Sequence, residues 1–243
     1  MPPGDNSGPA VEVTYRRGGD GCARTTDFAT ASSVELNGAD PWRTFRWYYG
    51  QKHYSGWYWA STMQRLVIYE SRLELANLLL ADFDADVRGI AAQPFRLTTE
   101  VDGKVRSHIP DYLLDTKSGP VVVDVKPARL ADKENVAATL AWTRHVVEAR
   151  GWRYTVATEP PSTRLTNVRF LAGFRDPRHF APEAIEQVLR QAVTGRTIAD
   201  TLRGIDAPAH SLRATLFHLI WTQQLRVDID THLTGRSQIT EVR

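Results

Sequence analysis

Apolar positions in the middle of the chain, between about residues 69 and 159, switch between helical spacing and the alternating spacing of strands. Leucines at positions 73, 75, 78, 79 and 80 recur at intervals that favour a helix. Short apolar runs bounded by turn-forming residues then favour strands. The predicted elements are a helix over 71–81, strands at 94–99, 105–114 and 120–126, a helix over 132–150 and a strand at 152–158. This α-β-β-β-α-β order predicts an α/β fold in which helices flank a mixed sheet.

The pattern changes on both sides of this segment. Residues 1–10 are rich in Pro, Gly, Asp and Ser and are predicted to be a disordered tail, and residues 11–68 read as short strands with turns. The run Glu159-Pro160-Pro161-Ser162 marks the predicted boundary to a last domain, 160–243. Helices near 182–194, 197–202 and 209–223 and a strand from Leu225 predict a winged-helix-like module there. The last of these helices carries Leu212, Leu216, Leu219 and Ile220 on one apolar face.

Composition limits the class of protein. The chain of 243 residues is 42% hydrophobic, carries a net charge of +2 and has one cysteine, Cys22. One cysteine excludes an internal disulfide and a cysteine-based zinc cage. The sequence contains no apolar run of membrane-spanning length, no signal-peptide pattern and no glycine-rich phosphate loop. We therefore expect a cytoplasmic protein that has no membrane partner and no nucleotide cofactor.

The candidate chemistry is carried by Asp111, Asp124 and Lys126. Asp111 follows Pro110, and Asp124 and Lys126 end the apolar run that begins at Val121. A β-hairpin would bring the two carboxylates and the ammonium group to neighbouring strands. Carboxylates at the edge of an apolar sheet suit a hard divalent cation, which is the requirement of a metal-dependent nuclease. The alternative is a strand that emerges into solvent, with two charges forming a weak pair.

A third acidic group is predicted on the helix upstream. Glu74 is the candidate, although Ser71 and Glu74 also form a capping-box pattern in which Glu74 would serve only the helix start. Glu70, one turn earlier, is the alternative acid.

Cations and aromatic residues are interleaved between positions 43 and 59. They could grip a nucleic-acid backbone or stack on bases. The alternative is that the aromatic residues pack a small β core while the cations face water. These residues are Arg43, Arg46, Trp47, Tyr48, Lys52, His53, Tyr54, Trp57, Tyr58 and Trp59.

Together with the motifs around them, the candidate acidic residues and the lysine make the chain resemble the TnsA-type endonuclease subunits of heteromeric transposases. These subunits belong to the PD-(D/E)xK nuclease superfamily. The resemblance covers about residues 69–158. The matching motifs are Tyr69-Glu70-Ser71-Arg72-Leu73-Glu74, Ile90-Ala91-Ala92-Gln93-Pro94-Phe95, Pro110-Asp111-Tyr112 and Val123-Asp124-Val125-Lys126-Pro127. The resemblance implies a restriction-endonuclease-like core over 69–159 and a winged-helix-like domain that contacts partner proteins and DNA.

The resemblance also implies roles for individual residues. Glu74, Asp111 and Asp124 would bind Mg²⁺, for which Mn²⁺ could substitute, and Lys126 would be the catalytic lysine. The expected reaction is cleavage of one strand of double-stranded DNA at the transposon ends. The implied partners are a TnsB-like recombinase subunit, which joins the other strand, and a TnsC-like ATPase regulator. The resemblance implies nothing for residues 11–68.

Two other functions compete with this one. A restriction-type or resolvase-type nuclease with the same core would act alone. A non-catalytic adaptor would use the core only to dock on DNA or protein, although the four intact residues Glu74, Asp111, Asp124 and Lys126 argue against a decayed site.

Overall fold

The structure, a computed structural model, describes residues 10–17, 19, 21–43, 54–101, 103–203 and 209–243. The predicted tail, apart from residue 10, lies outside the described residues, as do Arg46, Trp47, Tyr48, Lys52 and His53 of the cation–aromatic segment. The chain divides into two compact units. The first comprises Met1–Asn77 and Asp86–Glu159, and the second comprises Leu78–Ala85 and Pro160–Arg243.

The chain up to Glu159 is a mixture of helices and strands, most of which belong to the first unit. Its elements are β1 (Glu12–Arg17), β2 (Ala23–Asp27), α1 (Ser33–Asn37), β3 (Ala39–Asp40), β4 (Gly56–Ala60), β5 (Arg65–Tyr69), α2 (Arg72–Phe83), β6 (Val87–Ala92), β7 (Arg96–Val101), β8 (Lys104–His108), β9 (Tyr112–Thr116), β10 (Val121–Val125), α3 (Ala128–Ala131), α4 (Glu134–Ala149) and β11 (Arg153–Ala157). One sheet has the order β2-β1-β7-β8, with β3 paired to β1, and all of its described pairings are antiparallel. The N-terminal strands and the β7–β8 hairpin therefore form a single sheet.

A second sheet has the order β11-β10-β9-β6. Strands β10 and β11 are parallel, whereas β9 pairs antiparallel with both β10 and β6, so the sheet is mixed as expected. All five residues of β10 are buried, as expected for an interior strand. Val122 of β10 and Leu113 of β9 enter one core cluster with Val13, Phe95 and Val147.

The predicted strands before β10 need correction. Five strands, and not three, lie between α2 and α3, because 105–114 forms two strands and 87–92 forms another. Pro110 lies between β8 and β9, where it lacks the N–H that a continuous ladder needs. Strand β6 contains Gly89, and a glycine inside a strand weakens it, so the sequence pattern did not indicate this strand. A Cβ at Gly89 would lie 2.9 Å from the Asn37 side chain of α1, so glycine allows this close packing.

The described aromatic residues of the cation–aromatic segment lie in the β4–β5 hairpin, apart from Tyr54, which precedes it. Tyr58 is buried, whereas Trp57 and Tyr54 are more than half exposed. The hairpin therefore packs one aromatic side chain inward and leaves others at the surface.

Apart from the end of α2, the second unit is mainly helical. It contains α5 (Ser162–Leu171), α6 (Pro182–Gln191), α7 (Ile198–Arg203), α8 (Ala209–Trp221), β12 (Leu225–Val227) and β13 (Ile239–Val242), with 3₁₀ turns at Ala172–Phe174 and Pro177–His179. Strands β12 and β13 form an antiparallel pair. Leu212, Leu216, Leu219 and Ile220 of α8 are all buried, which confirms the apolar face predicted for this helix. Among the described residues, no helix has the length and apolar character needed to cross a bilayer.

Candidate active site

Asp111 and Asp124 meet at one end of the mixed sheet. Strands β9 and β10 pair with Val123 opposite Tyr112, and one further step of this antiparallel register places Asp124 opposite Asp111. Residues directly opposite each other project from the same face of a sheet, so the hairpin brings the two carboxylates together. Lys126 follows the end of β10, and its backbone N–H donates to the Ala157 carbonyl at 2.9 Å.

Lys126 is paired with both aspartates. Its Nζ donates to Asp111 Oδ2 at 3.0 Å and lies 4.0 Å from Asp124 Oδ1. Burial by itself would lower the pKa of Lys126, but the charges of Asp111 and Asp124 raise it above its usual value. The ammonium group therefore stays charged at neutral pH. The alternative of a solvent-facing pair does not describe these residues, since Asp124 is fully buried.

Asp111 is fixed by backbone as well as by Lys126. Its Oδ2 accepts a hydrogen bond from the Val125 N–H at 2.6 Å, while Oδ1 accepts none from the described residues. Burial raises the pKa of Asp111, and the positive charge of Lys126 offsets part of that effect. One carboxylate oxygen is therefore held in place, and the other is available to a ligand.

The sequence patterns did not reveal two further partners of Asp124. Nε2 of His108 lies 2.8 Å from Oδ1 and 2.9 Å from Oδ2, and the hydroxyl of Tyr154 donates to Oδ2 at 2.5 Å. Burial, together with the negative charge of Asp124, raises the pKa of the Tyr154 hydroxyl. Asp124 thus has two hydrogen-bonding partners in addition to the nearby Lys126, as a buried charge requires.

Glu74 lies at the start of α2 and caps it. Ser71 Oγ accepts from the Glu74 N–H at 3.1 Å, and the Glu74 carboxylate accepts from Ser71 Oγ at 2.9 Å and from the Glu70 N–H at 2.8 Å. Burial raises the pKa of Glu74 to about 7, and the nearby charge of Asp111 adds to this effect. The carboxylate therefore caps the helix and also faces Asp111. Glu70, the alternative acid, pairs instead with Arg43 Nη1 at 3.1 Å.

Glu74, Asp111 and Lys126 open onto a cleft of about 400 Å³, whereas the buried Asp124 lies behind its lining. The cleft is lined by Arg43, Glu70, Glu74, Gln93, Ser107, His108, Ile109, Asp111, Val125 and Lys126. Buried Gln93, from the Ile90-Ala91-Ala92-Gln93-Pro94-Phe95 motif, donates its N–H to the Asp111 carbonyl at 2.8 Å. The cleft therefore combines carboxylates, a charged lysine and a histidine in a largely polar setting.

The donors fit a hard divalent cation in chemistry but are not assembled into a cage. Among the residues that the structure describes, no three His, Cys, Asp or Glu side chains are grouped to hold a metal ion. Asp111 and Asp124 nevertheless supply carboxylate oxygens, which Mg²⁺ prefers. Among the described residues, Oδ1 of Asp124 has a hydrogen-bond contact only with His108 and so retains a second lone pair, which is compatible with a bound ion.

Residues 84–159 match the sequence model of the family described as TnsA-like endonuclease N terminal. This segment contains Asp111, Asp124 and Lys126, whereas Glu74 lies before it. The match confirms the predicted resemblance to TnsA-like nucleases and indicates a nuclease role in transposition. A comparison with curated proteins found no similar sequence.

Proposed function

We propose that the protein is the metal-dependent DNA endonuclease subunit of a heteromeric transposase and cleaves one strand at the transposon ends. The convergence of Asp111, Asp124 and Lys126 inside the matched segment carries this proposal. Such a site needs oxygen ligands for a hard cation and a positive charge close to the reacting phosphate, and these three residues supply both.

Asp111 and Asp124 would hold Mg²⁺, with Mn²⁺ as a substitute. When bound, the ion would supply Lewis-acid polarisation of the scissile phosphate and favour ionisation of an attacking water. Asp111 would bind through Oδ1, because Oδ2 is already engaged by Val125 and Lys126. Glu74 is better suited to binding through a water, since both of its oxygens already accept hydrogen bonds at the start of α2.

Lys126 would act on the reacting phosphate. Its ammonium group lines the cleft, stays charged at neutral pH and lies between the two aspartates. From there it would orient the attacking water and offset the negative charge that develops on the phosphate oxygens.

The second unit would dock on DNA and on partner proteins as a winged-helix-like domain. Helices α6, α7 and α8 followed by the β12–β13 ribbon support this part of the proposal. The proposed partners are a TnsB-like recombinase, a TnsC-like ATPase and double-stranded transposon-end DNA.

The test is reconstitution on a plasmid that carries the transposon ends, with Mg²⁺ and with a TnsB-like recombinase and a TnsC-like ATPase, the partners proposed above. Asp111→Asn should abolish strand cleavage by this chain and leave its melting temperature nearly unchanged, because the amide oxygen can still accept from the Val125 N–H. Asp115→Asn, at an exposed position of β9, is the matched control and should cleave normally. Cleavage by Asp111→Asn at the wild-type rate would refute the assignment.

The same preparation separates the proposal from a stand-alone nuclease. The wild-type chain alone, on the same plasmid with Mg²⁺, should be nearly inert. Vigorous cutting without partners would favour the restriction-type alternative, and an Asp111-independent effect on DNA would favour the adaptor.

A further inference from the structure

Trp42 lies beside two arginines of the β2-β1-β7-β8 sheet, called the N-terminal sheet below. The guanidinium carbon of Arg16 is 5.0 Å from the centre of the Trp42 ring, and that of Arg96 is 4.8 Å from it. The three residues, named here the Trp42 clamp, come from β1, from the segment after β3 and from β7. Contact with an aromatic face favours a guanidinium and limits its freedom, so both cations are held in place before any ligand arrives.

Both arginines lack an anionic partner among the described residues. Neither Arg16 nor Arg96 forms an ion pair there, even though Asp40 lies opposite Arg16 in the strand register. Nε of Arg96 is buried without a hydrogen-bond partner in the described part of the chain. Two like charges at one ring repel each other, and a buried guanidinium nitrogen without a partner is costly. An anion that contacts both guanidinium groups would offset this repulsion.

Gln93 connects the Trp42 clamp to the cleft. Its carbonyl accepts from the Trp42 N–H at 3.0 Å, and its side-chain Oε1 accepts from the Arg43 N–H at 3.1 Å. Its own N–H donates to the carbonyl of Asp111. Gln93, a single buried residue, is therefore hydrogen-bonded both to the Trp42 clamp and to the candidate metal ligand Asp111.

The backbone conformation of Gln93 supports a functional role for its link between Trp42 and Asp111. Its φ of 45° lies in the left-handed region, which a residue with a side chain adopts at an energetic cost. The three hydrogen bonds maintain this conformation and thereby fix the spacing between Trp42 and Asp111.

We propose that Arg16, Arg96 and Trp42 bind a backbone phosphate of the DNA substrate beside the cleft, and that Gln93 sets its distance from the cleavage site. The inference rests on the proposed nuclease function and gives the N-terminal sheet a role in holding the substrate. A phosphodiester group is the anion that two guanidinium groups next to a nuclease cleft fit best, because guanidinium forks match phosphate oxygens. The contact is independent of base sequence and positions the duplex.

The test is the salt dependence of duplex binding by the full chain, measured by fluorescence anisotropy with EDTA present so that no cleavage occurs. Arg16→Gln and Arg96→Gln should each weaken binding and reduce the slope of log K against log salt concentration, and the double variant, which loses the whole phosphate contact, should reduce it by roughly 0.9. Arg24→Gln is the matched control. Arg24 pairs with Tyr15 in the adjacent strand, so its side chain projects from the opposite face of the sheet to Arg16. This variant should keep the wild-type slope.

Loss of folding is separated from loss of charge by Arg96→Lys. This variant keeps the charge, so it should keep the wild-type slope while affinity falls a few-fold with the loss of the guanidinium fork. A slope reduced as much as in Arg96→Gln would mean that Arg96 acts through folding, and the proposal would be wrong. It would also be wrong if the three single Gln variants shared one slope, or if the wild-type chain failed to bind the duplex.

Salt dependence and cleavage together distinguish a wrong clamp proposal from a wrong nuclease assignment. Asp111→Asn should keep wild-type duplex binding and slope while it loses cleavage. Unchanged slopes in the clamp variants, combined with loss of cleavage in Asp111→Asn, would reject the clamp alone. Reduced slopes combined with full cleavage by Asp111→Asn would support the clamp and reject the catalytic assignment.

Discussion

His108 Nε2 contacts both carboxylate oxygens of Asp124, at 2.8 Å and 2.9 Å. Asp124 is completely buried and His108 is largely so, with 15% of its side chain exposed. The imidazole therefore supplies much of the hydrogen bonding that this buried carboxylate needs in the absence of a cation. His108 is a positioning residue, because it fixes the orientation of the group that would bind the metal ion.

Replacing His108 should destabilise the metal-free protein more than the metal-bound protein. We expect His108→Ala to lower the free energy of unfolding by about 1–3 kcal/mol in EDTA, the usual cost of leaving a buried polar group without its partner. Mg²⁺ should reduce this loss, because the ion would pair with Asp124. Urea-induced unfolding with and without Mg²⁺ measures both values.

The control for this experiment is His145→Ala, at an exposed position of α4. It should change the free energy of unfolding by less than about 0.5 kcal/mol. An equal loss for His108→Ala with and without Mg²⁺ would contradict the link between His108 and the metal site.

The parts of the site that sequence patterns predicted are those that local geometry determines. Asp111, Asp124 and Lys126 belong to one hairpin, whose register follows from a short turn and two apolar runs. His108 and Tyr154 reach Asp124 from β8 and β11. Tyr154 pairs with Val122 in the parallel ladder, which places it on the face of Asp124, but only the long connection through α4 establishes that register.

The missed strand β6 has a similar explanation. Val87–Ala92 contains small residues and Gly89, so its intrinsic strand propensity is weak. The strand is specified by pairing with β9 and by the packing of α1 against Gly89, both of which depend on distant residues. In contrast, α8 was predicted because Leu212, Leu216, Leu219 and Ile220 share one face at helical spacing.

Lys126→Met should lower turnover far more than metal affinity. Removing one charge that stabilises a developing oxyanion typically costs about 10²- to 10³-fold in rate. We expect a loss of that size in single-turnover cleavage by the reconstituted complex. Binding of Mn²⁺ at pH 8, measured by calorimetry, should change much less, because Asp111 and Asp124 remain and one repelling cation is lost.

Lys126→Met also changes the pKa of Asp111, and this effect must be separated from the loss of the lysine charge. The Lys126 charge offsets the rise in the pKa of Asp111, so its removal should raise that pKa further. Repeating the measurement at increasing pH separates the two effects, because any part of the loss that comes from protonation of Asp111 should shrink as the pH rises. Full recovery of cleavage at high Mg²⁺ concentration would contradict a catalytic role for Lys126 and leave only a role in metal binding.

Asn167 should be a main stabilising residue of the second unit. Its amide nitrogen donates to the Ile229 carbonyl at 2.9 Å and to the Thr231 carbonyl at 2.7 Å, and its Oδ1 accepts from the Leu233 N–H at 3.2 Å. Asn167→Ala removes all three bonds at a buried position and should cost about 2–4 kcal/mol. Hydrogen exchange should show faster exchange in the segment 229–233.

The neighbouring ion pair of Arg164 with Asp230 supplies the matched control. Its side chains are 40% and 55% exposed, so water screens the attraction. Arg164→Gln should therefore cost less than about 1 kcal/mol. If Arg164→Gln accelerates exchange in 229–233 as much as Asn167→Ala does, the ion pair and not the buried amide holds this segment.

Glu74→Gln should flatten the pH dependence of stability in the metal-free protein. The folded state raises the pKa of Glu74 from 4.5 to about 7, so it holds the proton more tightly than the unfolded chain does. Stability should therefore fall as pH rises through this window, by up to about 3 kcal/mol. Glutamine keeps a capping-box partner for Ser71 but cannot ionise, which removes the dependence. Urea unfolding in EDTA between pH 4.5 and 8 tests this, and equally steep profiles for both proteins would show that another group is responsible.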